Sequence, residues 1–253
     1  MIELKDLSKT FRNKNGEEFH AVDNLSFTVH PGEIVTLLGV NGAGKTTTMR
    51  MLSTVLKPTS GTALINGCDI IKSSGNARGK LGFLSGDTGL YARLTAREII
   101  TYFGKLYDTE DDLIVERIKS LSDFLDMNDF LDKKMDFLST GMKQKVSIAR
   151  SIIHDPPVMI FDEPTSGLDI LTARNIVSFI NKCKEDGKTV LFSTHIMREA
   201  ERIADRIIMI HKGKKIAEGS LPELRETTGS RDLDDIFIFF VNQMKESGEE
   251  DEA

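Results

Sequence analysis

The sequence predicts an α/β fold: a mixed sheet with an antiparallel β subdomain and an inserted helical subdomain. Three observations predict it. The apolar run Glu33–Leu38 leads into the glycine-rich loop Gly39-Val40-Asn41-Gly42-Ala43-Gly44-Lys45-Thr46, which opens onto a helical stretch, Thr47–Leu52. The runs Val158–Phe161 and Thr189–Ser193 are continuously apolar, as strands buried on both faces of a parallel sheet are. From about Thr88 to about Asp155 the pattern changes to that of amphipathic helices.

In chain order, Ile2 to Leu4 alternates, and Asn15-Gly16 is a hairpin turn signal between extended stretches. Val22–Val29 alternates apolar and polar, and Pro31-Gly32 turns the chain into the loop strand. Pro58-Thr59-Ser60-Gly61 reads as a turn, Thr62–Ile65 as a short strand and Asn66-Gly67 as another turn. Thr95-Ala96-Arg97-Glu98 is a capping box for a helix reaching Leu106. Ile114, Ile118, Leu121 and Leu125 recur at helical spacing, and Ser139 to His154 places Met142, Val146, Ala149, Ile152 and Ile153 on one face. Leu171 to Glu185 is a helix ended by Gly187, and Ile207–Ile210 with Lys215–Ala217 forms a closing hairpin around Gly213. The last helix is amphipathic through Leu233, Ile236, Phe237, Phe240, Val241 and Met244, and an acidic tail, Glu249–Ala253, follows. The expected division is one domain over 1–224, with its helical subdomain at about 88–155, and a terminal helix and tail over 225–253.

The 253 residues carry a formal net charge of −6 and 40% hydrophobic residues. That is ordinary for a globular protein and argues against nucleic acid as a partner. The two cysteines, Cys68 and Cys183, show no metal spacing and read as small buried side chains. The opening residues are charged and strand-like, so no leader peptide is expected. The longest apolar runs fall short of the ~20 residues of a spanning helix, so any membrane part belongs to another chain.

Strand, G-x-x-x-x-G-K-[ST], helix is a phosphate-binding P-loop in its proper context. Consecutive backbone N–H groups and a helix N-terminus make a concave anion site. Bare backbone at Gly42 and Gly44 permits close approach. Lys45 reaches the β- and γ-phosphates, and the Thr46 hydroxyl suits Mg²⁺. The strand Val158–Phe161 ends in Asp162 and Glu163, at the edge where open α/β sheets bind ligands. Asp162 is the expected Mg²⁺ residue and Glu163 the base for the attacking water. His195 ends the next buried strand at the same edge. His20, His30, His154 and His211 carry no such placement and read as structural or merely exposed. Ser139, before a helix, is either a simple N-cap or part of a second anion site.

The P-loop, LSTGMKQKV, VMIFDEPTSGLD and STH stand in the order and rough spacing of the ATP-binding subunits of ABC transporters, and the resemblance runs from Met1 to about Leu224. It implies a P-loop NTPase with a RecA-like core, the cofactors ATP and Mg²⁺, and a place at the cytoplasmic membrane face. It also implies two partners, an integral membrane subunit and a second copy in a nucleotide-sandwich dimer. By the same resemblance Gly39, Asn41, Gly42, Ala43, Gly44, Lys45, Thr46 and Thr47 bind ATP. Phe11 stacks on adenine. Lys45, Glu163 and His195 are catalytic. Ser139, Thr140, Gly141 and Met142 form the signature that closes over the partner subunit's nucleotide. Asp169 communicates across the dimer. Thr46 and Asp162 hold Mg²⁺.

Two departures narrow the family. Gly86 stands where a Gln is usual, with Asp87 beside it as a possible substitute, and the signature has Thr140 and Met142 where Gly and Gln are common. With Gly89–Glu98 they make the chain resemble the sodium-exporting (Nat-type) subfamily. Leu90, Tyr91, Tyr102 and Phe103 are candidates for a groove that receives the membrane partner, or else core of the helical insert. An exporter of a drug, lipid or peptide is the alternative reading. A soluble cassette acting on ribosomes or DNA is disfavoured by the single cassette, short insert and acidic balance, and a nucleotide kinase gives no reason for Ser139 and Gly141.

Overall fold

The computed structural model describes residues 1–85, 89 and 91–246. The strands are β1 (Ile2–Arg12), β2 (Glu18–Val29), β3 (Ile34–Leu38), β4 (Ser60–Ile65), β5 (Cys68–Asp69), β6 (Leu81–Ser85), β7 (Val158–Asp162), β8 (Thr189–Thr194), β9 (Arg206–His211) and β10 (Lys214–Gly219). The helices are α1 (Lys45–Leu52), α2 (Ser74–Gly79), α3 (Ala96–Leu106), α4 (Asp111–Phe124), α5 (Thr140–Ile152), α6 (Ile170–Glu185), α7 (Met197–Ile203), α8 (Leu221–Thr228) and α9 (Leu233–Glu246). The chain divides into two compact units, one of Met1–Leu81, Pro157–Glu163 and Cys183–Ala253, the other of Gly82–Pro156 and Pro164–Lys182.

The first unit holds two sheets. One is antiparallel, ordered β2-β1-β4-β5, with Ile2 opposite Val29 and Ile65. The other runs β10-β9-β3-β8-β7; β3 is parallel to β8 and β9, β7 is parallel to β8, and the β9–β10 hairpin is antiparallel. Every residue of β3, β7 and β8 is buried, which is the two-faced burial their unbroken apolar runs require. The register sets Leu38 opposite Thr194 and Asp162 opposite Ser193. Three strands therefore deliver their C-terminal ends to one edge, where the loop, the paired acids and His195 follow. Leu233, Ile236 and Phe237 of α9 bury against Leu38, Ile207 and Met209, with Phe240 and Val241 packed at the margin.

In the second unit α3 begins with both halves of its capping box. The Thr95 hydroxyl accepts from the Glu98 N–H at 3.1 Å, and the Glu98 carboxylate accepts from the Thr95 N–H at 2.8 Å. Ile99 and Ile100 of α3, Ile114 and Ile118 of α4, and Val146 and Ala149 of α5 are buried, so the 3.6-residue pattern marks the faces that pack.

The first hairpin turns over residues 13–17 with Asn15-Gly16 inside the turn, and Asn13 Oδ1 accepts from the N–H groups of Asn15 and Glu17. Three local expectations are corrected. Ser60 and Gly61 belong to β4 and not to the preceding turn: Gly61 has φ 69°, and a Cβ there would lie 2.0 Å from the Asp6 carbonyl oxygen, so glycine serves a close strand approach. The helix expected from Ser139 to His154 spans only Thr140–Ile152, because Ser139 is its extended-backbone N-cap. Cys68 is half-buried on β5, whereas Cys183 is buried as expected.

Candidate functional site

The site is built on the P-loop between β3 and α1. Gly39 has no room for a side chain, since a Cβ would meet the Ile210 carbonyl oxygen at 2.4 Å. Gly44 sits at φ 105° with the Ala21 carbonyl oxygen 2.4 Å from a notional Cβ. Both positions are closed to L side chains on steric grounds.

Lys45 is buried, and its ammonium donates to the carbonyl oxygens of Gly39 at 2.7 Å and Val40 at 3.1 Å. It lies 3.2 Å from Glu163 Oε1, while His195 Nδ1 lies 3.3 Å from Glu163 Oε2. The three residues expected to be catalytic are thus one connected row. Glu163 is held in a left-handed backbone at φ 46°. Its N–H donates to the Ser193 carbonyl oxygen at 3.2 Å and the Ser193 hydroxyl at 3.0 Å. Such a conformation costs free energy and persists only where its surroundings fix it; Ser193 does so here.

Ser193 also donates to Asp162 Oδ1 at 2.7 Å, and the Thr46 hydroxyl donates to the same oxygen at 3.3 Å. Burial pushes the Asp162 carboxyl above the ordinary carboxylate range, against the opposing hydrogen bonds from Ser193 and Thr46. A carboxylate and a hydroxyl meeting beside a phosphate loop are hard oxygen donors. They fit Mg²⁺, which takes one or two protein oxygens and keeps waters and substrate phosphate as its other ligands.

The Asp162 shift has a measurable sign. The folded state holds this proton more tightly than the unfolded chain. Stability from the group is full below the unfolded value of about 3.9 and is lost as pH rises through the folded value. Asp162→Asn keeps an oxygen that accepts from Ser193 and Thr46 but carries no charge. It should therefore melt above the parent protein at pH 7 in chelator without nucleotide, and the gap should close as pH falls toward 4. Thermal denaturation across that range checks it; a gap that does not change with pH would contradict the assigned cause.

The loop opens onto a cavity of about 670 Å³ whose lining includes Asn41, Gly42, Thr47 and Glu163 together with Phe11 and Phe19. Phe11 is thus placed with the P-loop. Phe19, directly opposite Phe11 across β1 and β2, was not legible as a site residue, because only the hairpin register brings it there.

The second unit carries the signature. Ser139 Oγ accepts from the Met142 N–H at 3.3 Å, so the capping role is present. Ser139 and Thr140 are exposed, and Gly141 and Met142 half-buried. Asp169 Oδ1 accepts from the N–H groups of Leu171 and Thr172, each at 3.0 Å, and Asp169 Oδ2 accepts from the Thr172 hydroxyl at 2.7 Å. The bonds from Thr172 hold the Asp169 carboxyl below its ordinary range. A Cβ on Gly141 would sit 3.0 Å from Thr172 Oγ1. Thr172 therefore stands against both the signature and Asp169, a link the sequence reading missed. Tyr91 and Tyr102 are 59% and 49% exposed and meet edge to face, whereas Phe103 is half-buried beneath the Arg150 guanidinium at 5.1 Å. Gly86, Asp87, Leu90 and the acidic tail lie outside the described residues.

Residues 22–166 match the ABC transporter family. The chain belongs to that family. It is 44% identical over 239 residues to the ABC transporter ATP-binding protein NatA of Bacillus subtilis (strain 168), covering 94% of this chain and 97% of that protein. It is 39% identical over 235 residues to the probable multidrug ABC transporter ATP-binding protein YbhF of Escherichia coli (strain K12), covering 93% of this chain and 40% of YbhF. Among solved structures, an ATP-binding subunit of an ABC transporter superposes with a TM-score of 0.86 at 30% identity, over 95% of this chain and 99% of that one. The dimeric bacterial ABC transporter cassette MJ0796 superposes at 0.75 and 30% identity, over 87% of this chain and 98% of that one. The cassette described here is an ATPase, a P-loop NTPase of mixed α/β fold and the ATP-binding subunit of an ABC transporter.

Proposed function

We propose that the cassette powers export of sodium ions through a separate integral membrane subunit, working as a dimer with a second copy of itself at the cytoplasmic membrane face. The row Lys45–Glu163–His195 at the shared edge of β3, β7 and β8 carries the catalytic reading. Lys45 offers its charge to the β- and γ-phosphates, and the N–H groups of the loop from Gly39 to Thr47 cradle them. Glu163 takes a proton from the attacking water, and His195, whose Nδ1 lies 3.3 Å from that carboxylate, stands at the same edge within reach of the γ-phosphate. Asp162 and Thr46 hold Mg²⁺, which when bound neutralises charge developing on the phosphate oxygens. Phe11 supplies a face for the base. Ser139, Thr140, Gly141 and Met142, exposed or half-buried, close over the nucleotide of the second copy, with Asp169 signalling across; the dimeric MJ0796 cassette supports that arrangement. The exposed Tyr91 and Tyr102 face the membrane partner.

Sodium is favoured by the Nat-type resemblance and the 44% identity to NatA over nearly the whole of both chains. No helix among the described residues is long and apolar enough to cross a membrane, which supports a second chain for the pathway. The test is capture by tagged Glu163→Gln from gently solubilised native membranes with ATP and Mg²⁺. A recovered polytopic membrane protein is the expected outcome, followed by ATP-dependent sodium movement in vesicles carrying the pair. Ribosomal or DNA-associated proteins in place of a membrane protein would overturn the transporter reading. Movement of a drug, lipid or peptide without sodium would overturn the substrate alone.

A further inference from the structure

Within the second unit, the signature at the start of α5 touches the segment from Pro164 to Thr172 that leads into α6. Gln144 Nε2 donates to the Pro164 carbonyl oxygen at 2.9 Å. Gly141 lies three residues before Gln144 and so on the same helix face. A Cβ there would sit 3.0 Å from Thr172 Oγ1 and 3.4 Å from Thr172 Cγ2. Thr172 thus fills the space that a side chain at position 141 would take. Its hydroxyl donates to Asp169 Oδ2 at 2.7 Å, while Asp169 Oδ1 accepts from the N–H groups of Leu171 and Thr172 at 3.0 Å each. Backbone donors hold one carboxylate oxygen, and the Thr172 hydroxyl holds the other. Among the described residues the three most exposed large apolar side chains are Ile170, Phe137 and Leu171, at 85%, 78% and 74%. Two of them stand between Asp169 and Thr172, and the third stands two residues before Ser139.

We propose that Thr172 is a positioning residue for dimer closure: it ties Asp169 to the signature, so that both segments meet the second copy as one preformed surface. The inference rests on the reading of the cassette as a nucleotide-sandwich dimer. Ordering a loop at an interface costs binding free energy, and fixing it beforehand removes that cost. Threonine suits the position. Its hydroxyl can give a proton to a carboxylate while its branched end packs on the bare backbone of Gly141. Thr172→Val removes the hydroxyl and keeps the branched shape. The N–H bonds to Asp169 Oδ1 remain in that variant, so the start of α6 is kept and the tie is lost.

Sedimentation of the purified chain with ATP tests this, with Glu163→Gln as the slow background and Thr172→Val or Thr172→Ser added to it. Equilibrium ATP binding at a dilution that keeps the chains apart, and thermal denaturation, are measured beside it. Glu163→Gln should form an ATP-dependent dimer. Adding Thr172→Val should raise the dimer dissociation constant by about five- to fifty-fold, since each of two copies loses one hydrogen bond to a charged group. ATP binding by the separate chain should not change, and the thermal midpoint should stay within about 2 °C. Thr172→Ser should restore the dimer. An unchanged dimer in Thr172→Val would overturn the tie. Equal weakening in Thr172→Ser would overturn it in favour of packing by the threonine methyl group. A fall in thermal midpoint that accompanies the weakening would overturn it in favour of a damaged α6. Absence of any ATP-dependent dimer in Glu163→Gln would overturn the dimer reading beneath it, and the role of Thr172 with it.

Discussion

Glu163→Gln should lower steady-state phosphate release from ATP by about 10²–10⁴-fold while equilibrium ATP binding stays within a few-fold of the parent. A positioned general base contributes that much, and Gln has the same shape without a basic oxygen. The geometry makes the assignment selective. Of the acids at this edge, Glu163 reaches both Lys45 and His195, whereas Asp162 is engaged by Ser193 and Thr46. Different partners thus engage the two acids, so one is placed for the metal and the other for the water. A slow, nucleotide-loaded variant should also accumulate as a dimer on size-exclusion chromatography with ATP. Hydrolysis by Glu163→Gln at the parent rate would remove Glu163 from the reaction.

Phe192→Ala should destabilise the first unit by about 3–5 kcal/mol, the usual range for truncating a buried phenylalanine. Phe192 is fully buried at the middle of β8, with β3 on one side and β7 on the other. The cavity left there has rigid strands around it and little means of collapse. For a chain of this size each kcal/mol moves the midpoint by about 2–4 °C, so thermal denaturation should fall by about 6–20 °C. Val115→Ala, at a 68% exposed position of α4, is the control and should stay within about 0.5 kcal/mol. A Phe192→Ala midpoint within a degree of the parent would contradict the two-faced burial on which the site edge depends.

What could be read from the chain follows from the range of the signals. The P-loop, the capping box at Thr95 and the unbroken runs of β7 and β8 are local patterns, and each names its own environment. The meeting of Lys45, Glu163 and His195 was also legible, because a parallel sheet sends every strand's C-terminal end the same way. Phe19 and Thr172 were not, since each matters through a partner placed by register or by packing between separate segments. Ser74–Gly79, Met197–Ile203 and Leu221–Thr228 are helices of 6, 7 and 8 residues, too short to show a period. Gly61 misled because glycine marks turns and close strand approaches alike.

The packing of α9 also has a consequence for synthesis. Leu38, the last residue before the P-loop, shares its core with Leu233, Ile236 and Phe237, and its strand pairs with β8 and β9. At roughly 5–20 residues per second a ribosome needs about 10–40 s to travel from Leu38 to Leu233. β8 and β9 are made within that interval, so the strand that presents the phosphate loop gains its pairing partners first, while Leu38 still lacks the part of its core that α9 supplies. The core beneath the site edge is thus completed only when the last helix is made. A nascent chain stalled before α9 should engage holding chaperones even though its P-loop has long been translated.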